Sequence, residues 1–175
     1  MSDLGVLWLG CAFVLIGIAG FLWYSSMKGA PWFPTTKRTR QQMLDIAKLA
    51  PGELLLDLGA GDGRMVIDAA RRGARAVGYE VNPLLARIAR WRVGRAKLAD
   101  RVRIEHVDLF AAALPPADVV TLFLLQDTNQ RVRDEILPRL TQGTRVVSYA
   151  FTFRGIEPTR VLRPLRGPAI YLYQR

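Results

Sequence analysis

Residues 54–58, LLLDL, run directly into Gly59-Ala60-Gly61-Asp62-Gly63 and then into a helical pattern that opens at Arg64. No other feature narrows the fold as much. A five-residue run that is almost wholly leucine is too short for a helix and apolar on both faces, the pattern of a buried strand in a parallel sheet. Three alternate glycines allow a tight turn in which a ligand can approach the backbone, and the helix that follows offers unpaired N–H groups. Met65, Val66, Ala69 and Ala70 share one face of that helix. Strand, turn and helix are the first half of a βαβ unit.

The alternation continues. Residues 76–80 (AVGYE) predict a second strand, and Asn82-Pro83 opens a second helix marked by Leu84, Leu85, Ile88 and Trp91. Residues 102–107 and the strongly apolar 118–125 predict a third and a fourth strand, with Pro115-Pro116 in the loop before the latter. Val132, Ile136, Leu137 and Leu140 give a helix with Pro138 in its last turn, and residues 144–149 follow Gln142-Gly143 as a fifth strand. Residues 160–165 and 169–173 read as a hairpin around Arg166-Gly167-Pro168, and residues 41–49 as an amphipathic helix ahead of the first strand. Five βα-type strands and a terminal hairpin predict an α/β fold with an open, mostly parallel, seven-stranded sheet. His106, alternating with Val102 and Ile104, is expected to be a half-buried strand residue, and Trp91 a core residue.

Ahead of this lie 21 residues, 4–24, without a charge. At ~1.5 Å per residue they reach roughly 31 Å, the thickness of a hydrocarbon core. Trp23 and Tyr24 close the run, and Trp32 and Phe33 follow, as interfacial aromatics would. A cleaved signal peptide would need a basic start and a shorter apolar run, whereas only Met-Ser-Asp comes first. Cys11 sits inside the run as a small apolar side chain. The expected organisation is a transmembrane anchor over residues 1–27, a juxtamembrane segment with the first helix over 28–50, and a catalytic domain over 51–175. Lys28, Lys37, Arg38 and Arg40 stand against a lone Asp3. The positive-inside rule therefore places the domain on the cytoplasmic side, as at a bacterial inner membrane.

The chain carries 25 basic residues, 21 of them arginine, against 15 acidic ones, a net charge of +10. Nucleic acid or anionic lipid would both answer such a charge. Its carriers, among them Arg71, Arg72, Arg87, Arg90, Arg92 and Arg95, are spread through helices without interleaved aromatics, which leaves lipid-facing charge or plain solvated faces. One cysteine and one histidine provide neither a disulfide nor a metal cluster. No metal and no nucleic-acid partner are expected.

Acidic residues mark the ends of the first three strands. Asp57 and Asp62 flank the glycine turn, where they would repel a pyrophosphate but pair with an ammonium group. The spacing is GxGxG and not the GxGxxG of dinucleotide sites. Glu80 ends the second strand, where a carboxylate can hold both hydroxyls of a ribose. Asp108, followed by Leu109 and Phe110, can accept from an exocyclic amine while the apolar pair brackets a ring. An amino-acid end, a ribose and an adenine without phosphate describe S-adenosyl-L-methionine. A nicotinamide enzyme, or a plain strand-to-helix turn with incidental acids, is the alternative.

In the order and spacing of these motifs, residues 53–150 resemble the class I, seven-β-strand, Rossmann-like methyltransferases. The resemblance implies that Asp57, Gly59 and Gly61 hold the methionine portion, Glu80 the ribose and Asp108 the adenine, with Asp62, Asn82, Leu109 and Phe110 in the same pocket. Pro31-Trp32-Phe33-Pro34-Thr35, then DLGAGDGR, GYEVNP and PRLTQGTRVVSYAF, is similar to the membrane-anchored protein lysine methyltransferases that act on ATP synthase c-subunit and adenine nucleotide translocase. Two departures are visible: Leu125-Gln126-Asp127 replaces a proline after the fourth strand, and Ile156 stands where that family has a tryptophan. The resemblance implies transfer of a methyl group to a lysine of a membrane protein. It places Pro34 and Thr35 on the acceptor side, and position after the fourth strand adds Gln126 and Asp127. Asp127 could equally cap the next helix, with Thr128 and Asn129 as rivals. No Asn/Asp-Pro-Pro-aromatic run of the nucleic-acid adenine methyltransferases is present. A methyltransferase of a membrane lipid or quinone intermediate, and a non-catalytic cofactor-binding module, are the other open classes.

Overall fold

The computed structural model describes residues 33–175 together with residues 7–10, 12, 13, 17 and 20. The chain divides into two compact units, Met1–Phe33 and Pro34–Arg175. Most of the expected span at 4–24 lies outside the described residues. Within it, Leu7, Trp8, Leu9 and Phe13 are exposed. Among the described residues no helix is long and apolar enough to cross a membrane.

The second unit alternates as α1 (Lys37–Ile46), β1 (Leu54–Leu58), α2 (Arg64–Arg71), β2 (Arg75–Glu80), α3 (Pro83–Arg95), β3 (Val102–His106), β4 (Val119–Leu122), α4 (Gln126–Arg131), β5 (Arg145–Tyr149), β6 (Arg160–Leu162) and β7 (Ile170–Gln174). The sheet has seven strands in the order β3-β2-β1-β4-β5-β7-β6. The first five are parallel, and β7 runs antiparallel to both β5 and β6. The strand order reverses between β1 and β4, and in open α/β sheets ligands bind outside the carboxyl ends of the strands at that point. Register aligns Asp57 with Gly78 on one side and Thr121 on the other.

The core explains the runs of leucine and valine. Leu55, Leu56 and Leu58 of β1 and Val119, Val120 and Leu122 of β4 are fully enclosed. α3 begins where expected because the Asn82 side chain accepts from the Leu84 and Leu85 N–H groups and Pro83 occupies the first turn. α1 starts at Lys37, earlier than the apolar periodicity indicates, because Thr36 caps it through the Thr39 N–H. β4 is shorter than the apolar run 118–125. Its ladder to β1 ends at the Leu58–Leu122 pair, where β1 meets the glycine turn. The helix through Val132 begins six residues sooner, at Gln126, and passes through a π turn over Val132–Ile136 into a 3-10 turn over Leu137–Arg139. Pro138 lies in that last turn, where a missing N–H and a ring clash disfavour regular α geometry.

Two expectations fail in this layer. Trp91 is 62% exposed and so is not a core residue, because the buried stripe of α3 runs through Leu85, Ala86, Ala89 and Val93. His106 is exposed and not half-buried, since it closes edge strand β3, with Nε2 3.1 Å from the Val81 carbonyl oxygen.

Candidate active site

The turn after β1 is drawn under β2 by two bonds. The Gly59 and Ala60 N–H groups both donate to the Tyr79 carbonyl at 2.9 Å. Gly59 has φ +86, and a Cβ there would come within 2.8 Å of Leu124 Cδ2. Any side chain would both strain the backbone and push against the end of β4. Gly63, at φ +82, lets α2 close on α3, because a Cβ would lie 3.0 Å from that of Ala89.

Glu80 is buried at the end of β2, and its carboxylate is held from two sides. Oε2 accepts from the Gly61 N–H at 2.7 Å and Oε1 from the Asn82 N–H at 2.8 Å. Burial raises its pKa, while these N–H groups pull the other way. Asn82 therefore contributes to the pocket through its backbone, which aims Glu80, while its side chain caps α3. Asp57 Oδ1 accepts from Thr121 Oγ1 at 2.7 Å. Burial pushes its pKa up to about 7; the Thr121 bond and Arg40 oppose the rise, while Glu80 and Asp62 add to it.

Asp62 departs from the expectation of an ammonium partner. Its buried carboxylate pairs with Arg64 at 2.9 Å and also with Arg92. Two guanidinium groups already supply its counter-charge, which leaves Asp57 as the buried acid of the turn with no guanidinium bond among the described residues. Just past the end of β3, exposed Asp108 accepts through Oδ1 from the Phe110 N–H at 3.0 Å. Leu109 and Phe110 are half-buried. The Arg131 guanidinium lies 3.8 Å from the Phe110 ring centroid.

On the expected acceptor side the structure finds braces. Gln126 Nε2 and Gln130 Nε2 both donate to the Thr152 carbonyl, at 2.9 and 3.0 Å. Fully buried Asn129 donates to Ser148 Oγ at 3.0 Å and to the Phe151 carbonyl at 3.2 Å. Together they strap the stretch after β5 onto α4. Ala150, with φ +71, sits in that stretch in the left-handed region that favours glycine. Asp127 is exposed in the first turn of α4, and the N-cap position belongs to Leu125, so Asp127, Thr128 and Asn129 all lie inside the helix. The Phe123 and Tyr149 rings meet edge-on at 4.7 Å, the first just past the end of β4 and the second in the last residue of β5.

Thr35 is tied in by Arg40, which sequence alone groups only with the juxtamembrane charges. Arg40 donates to the Thr35 carbonyl at 2.6 Å and, through Nε, to Asp68 at 2.7 Å. Both members of this ion pair are buried. Burial of a charged pair is tolerable only with good geometry and further hydrogen bonds. The partners stand 28 residues apart, so no local pattern announces them.

A seven-stranded sheet in this order, with the glycine turn at its switch point and acids closing adjacent strands, is the Rossmann-like fold of the class I methyltransferases. Residues 57–160 match the family described as ANTKMT methyltransferase domain. The chain is 35% identical over 148 residues to a protein-lysine N-methyltransferase of Saccharolobus islandicus (strain REY15A), covering 82% of this chain and 92% of that one. It is 34% identical over 133 residues to the adenine nucleotide translocase lysine N-methyltransferase of Mus musculus, spanning 75% of this chain but only 58% of that relative. Among solved structures, an RNA methyltransferase from Salinibacter ruber in complex with S-adenosyl-L-homocysteine superposes with a TM-score of 0.78 at 41% identity, covering 81% of this chain and 93% of that one. The chain belongs to the ANTKMT methyltransferase domain family, a family of S-adenosylmethionine-dependent protein-lysine methyltransferases.

Proposed function

We propose that the protein transfers a methyl group from S-adenosylmethionine to a lysine of a membrane protein. In this reading it is held at the membrane by residues 4–24, with its domain on the cytoplasmic side. The observation that carries the assignment of the pocket is the two-sided grip on Glu80, whose oxygens each retain a lone pair for a ribose hydroxyl. Asp57 receives the ammonium of the methionine portion beside Gly59 and Gly61. Asp108 accepts from the adenine amine, and Leu109 and Phe110 flank the ring. When bound, S-adenosylmethionine supplies an electrophilic methyl group.

The chain's own task is to present a neutral amine in line with that group. Lysine has an ordinary pKa of ~10.4, so it must shed a proton first. A desolvated approach past Phe123 and Tyr149, next to a domain of strong positive charge, lowers that pKa. The strapped segment after β5 and the Arg40-held Thr35 form the acceptor's walls. The same positive charge disfavours a free cationic substrate and favours one delivered along a membrane.

The relatives named for lysines of the adenine nucleotide translocase and of the ATP synthase c-subunit support a protein acceptor. The structural neighbour described as an RNA methyltransferase supports a second reading, with the acceptor in RNA. Transfer of tritiated methyl to native membranes distinguishes them. Label in protein, co-eluting with methyl-lysine after hydrolysis, is the expected result. Label recovered in RNA, or in an organic-solvent extract, would overturn the lysine assignment.

A further inference from the structure

Between α1, α2 and α3 lies an open cavity of about 360 Å³ whose charged lining is Arg40, Arg64, Asp68, Arg71, Arg92 and Arg95. Arg64, Asp68 and Arg71 follow at helical spacing along one stripe of α2, and Arg92 and Arg95 face them from α3. Two carboxylates serve five guanidinium groups. Asp68 takes Arg40 in a close pair, and Asp62, behind the wall, takes Arg64 and Arg92. Arg71 stands 3.8 Å from Asp68 with its side chain 62% exposed, and Arg95 makes no ion pair among the described residues. Like charges gathered around a concavity repel unless an anion joins them. Planar guanidinium forks match phosphate oxygens better than any other basic side chain.

Arg95 connects this cavity to an apolar ridge. Its guanidinium lies 5.5 Å from the Trp91 ring centroid. Leu84 and Trp91, one above the other on α3, are 53% and 62% exposed. A basic concavity beside an exposed tryptophan and leucine is the pattern of a helix seated at a lipid interface. A nucleic-acid backbone would answer the charge but leave the leucine without a partner. The 21-residue uncharged run also leads into α1, whose Arg40 lines the same cavity.

We infer that this cavity binds the phosphate of an anionic phospholipid headgroup, with Trp91 and Leu84 entering the interface beside it. The inference rests on the membrane placement proposed above and not on the identity of the methyl acceptor. It assigns Arg71 and Arg95 a role apart from methyl transfer, namely holding the catalytic domain against the membrane surface in one orientation.

The test uses the full chain in neutral detergent micelles, titrated with short-chain phosphatidylglycerol, short-chain phosphatidylcholine, inorganic phosphate and oligouridylate. Phosphatidylglycerol is expected to bind at least tenfold more tightly than each of the other three. The Arg71→Glu/Arg95→Glu double variant should lose that preference while keeping S-adenosylhomocysteine affinity within twofold, and Arg71→Lys/Arg95→Lys should retain most of it. The glutamate variant should also remain in carbonate-washed membranes, so that lost headgroup binding is read apart from lost anchoring. Equal binding of the two lipids, or no effect of the glutamates, would overturn the inference. Oligouridylate or inorganic phosphate binding as tightly as phosphatidylglycerol would reassign the cavity to RNA or to free phosphate. Competition by S-adenosylhomocysteine would place the cavity in the cofactor site and equally refute the proposal.

Discussion

Asp57 joins burial to titration near neutrality, and its proposed pairing with the cofactor's ammonium predicts pH-dependent binding. Its folded pKa of about 7 lies above the ordinary carboxyl value, so the fold favours the protonated form. The associated stability is fully present below the ordinary carboxyl range of ~4 and is lost as pH rises through about 7. Pairing with a ligand ammonium needs the charged form and draws the pKa back down. S-adenosylhomocysteine should therefore bind more tightly at pH 8 than at pH 6, by up to about tenfold for each pH unit below the pKa. Calorimetry at the two pH values checks this; a flat profile, or one unchanged in Asp57→Asn, would contradict it. Glu80→Gln should weaken the same ligand by roughly ten- to a hundredfold. An amide would turn a donor toward one of the two N–H groups, and hydrogen bonds to charged groups contribute about 1.5–3 kcal/mol. At this scale the sequence is informative wherever a residue ends a strand. Asp57, Gly59, Glu80 and Asp108 are legible as candidates because ligands of open α/β sheets bind at the carboxyl ends of the parallel strands. The true partners of Asp62 are not, because Arg92 lies 30 residues away on another helix.

α4 shows what periodicity misses. Its first turns, QDTNQR, carry no apolar stripe, so the helix was legible only from Val132 onward. The amides of that polar segment hold the stretch after β5 and so shape the face proposed for the acceptor. The Gln126→Ala/Gln130→Ala double variant should raise the acceptor KM severalfold with cofactor affinity unchanged, as measured by steady-state methylation and by calorimetry. Weakened cofactor binding would show that the strap serves the pocket instead. The cap of α3 makes a simpler case. Asn82→Ala should cost about 1 kcal/mol and lower Tm by a few degrees. Thermal unfolding checks this, and the unchanged backbone N–H should continue to orient Glu80. The strands, in contrast, were legible almost residue by residue, because burial on both faces leaves long apolar runs that only a parallel interior explains. Two strand ends were overestimated: β4, since its partner strand stops at the glycine turn, and β6, expected to run to residue 165 but ending at Leu162, where its pairing with β7 stops.

On the scale of the whole molecule, the charge of +10 and the uncharged run of 21 residues belong to one account. In the proposed function the run holds the domain at the membrane, and the charge both favours an acceptor delivered there and eases its deprotonation. Deletion of residues 1–27 should leave cofactor binding intact yet slow methylation of native membranes by at least tenfold, read by label incorporation at matched enzyme concentration. Unchanged incorporation would remove the anchor from the mechanism. Hydropathy and charge suggest this division of the chain, but no local pattern announces the buried Arg40–Asp68 pair that fastens α1 to α2, because it reveals itself only when two helices pack.

The central claim is tested most directly by peptide mass spectrometry on membranes from cells lacking the native protein, supplied with either the wild-type chain or Glu80→Gln. The account predicts that a lysine in a membrane protein gains one or more methyl groups with the wild type and remains unmodified with the variant. Absence of any wild-type-dependent methyl-lysine, with methylated RNA or lipid appearing in its place, would contradict it.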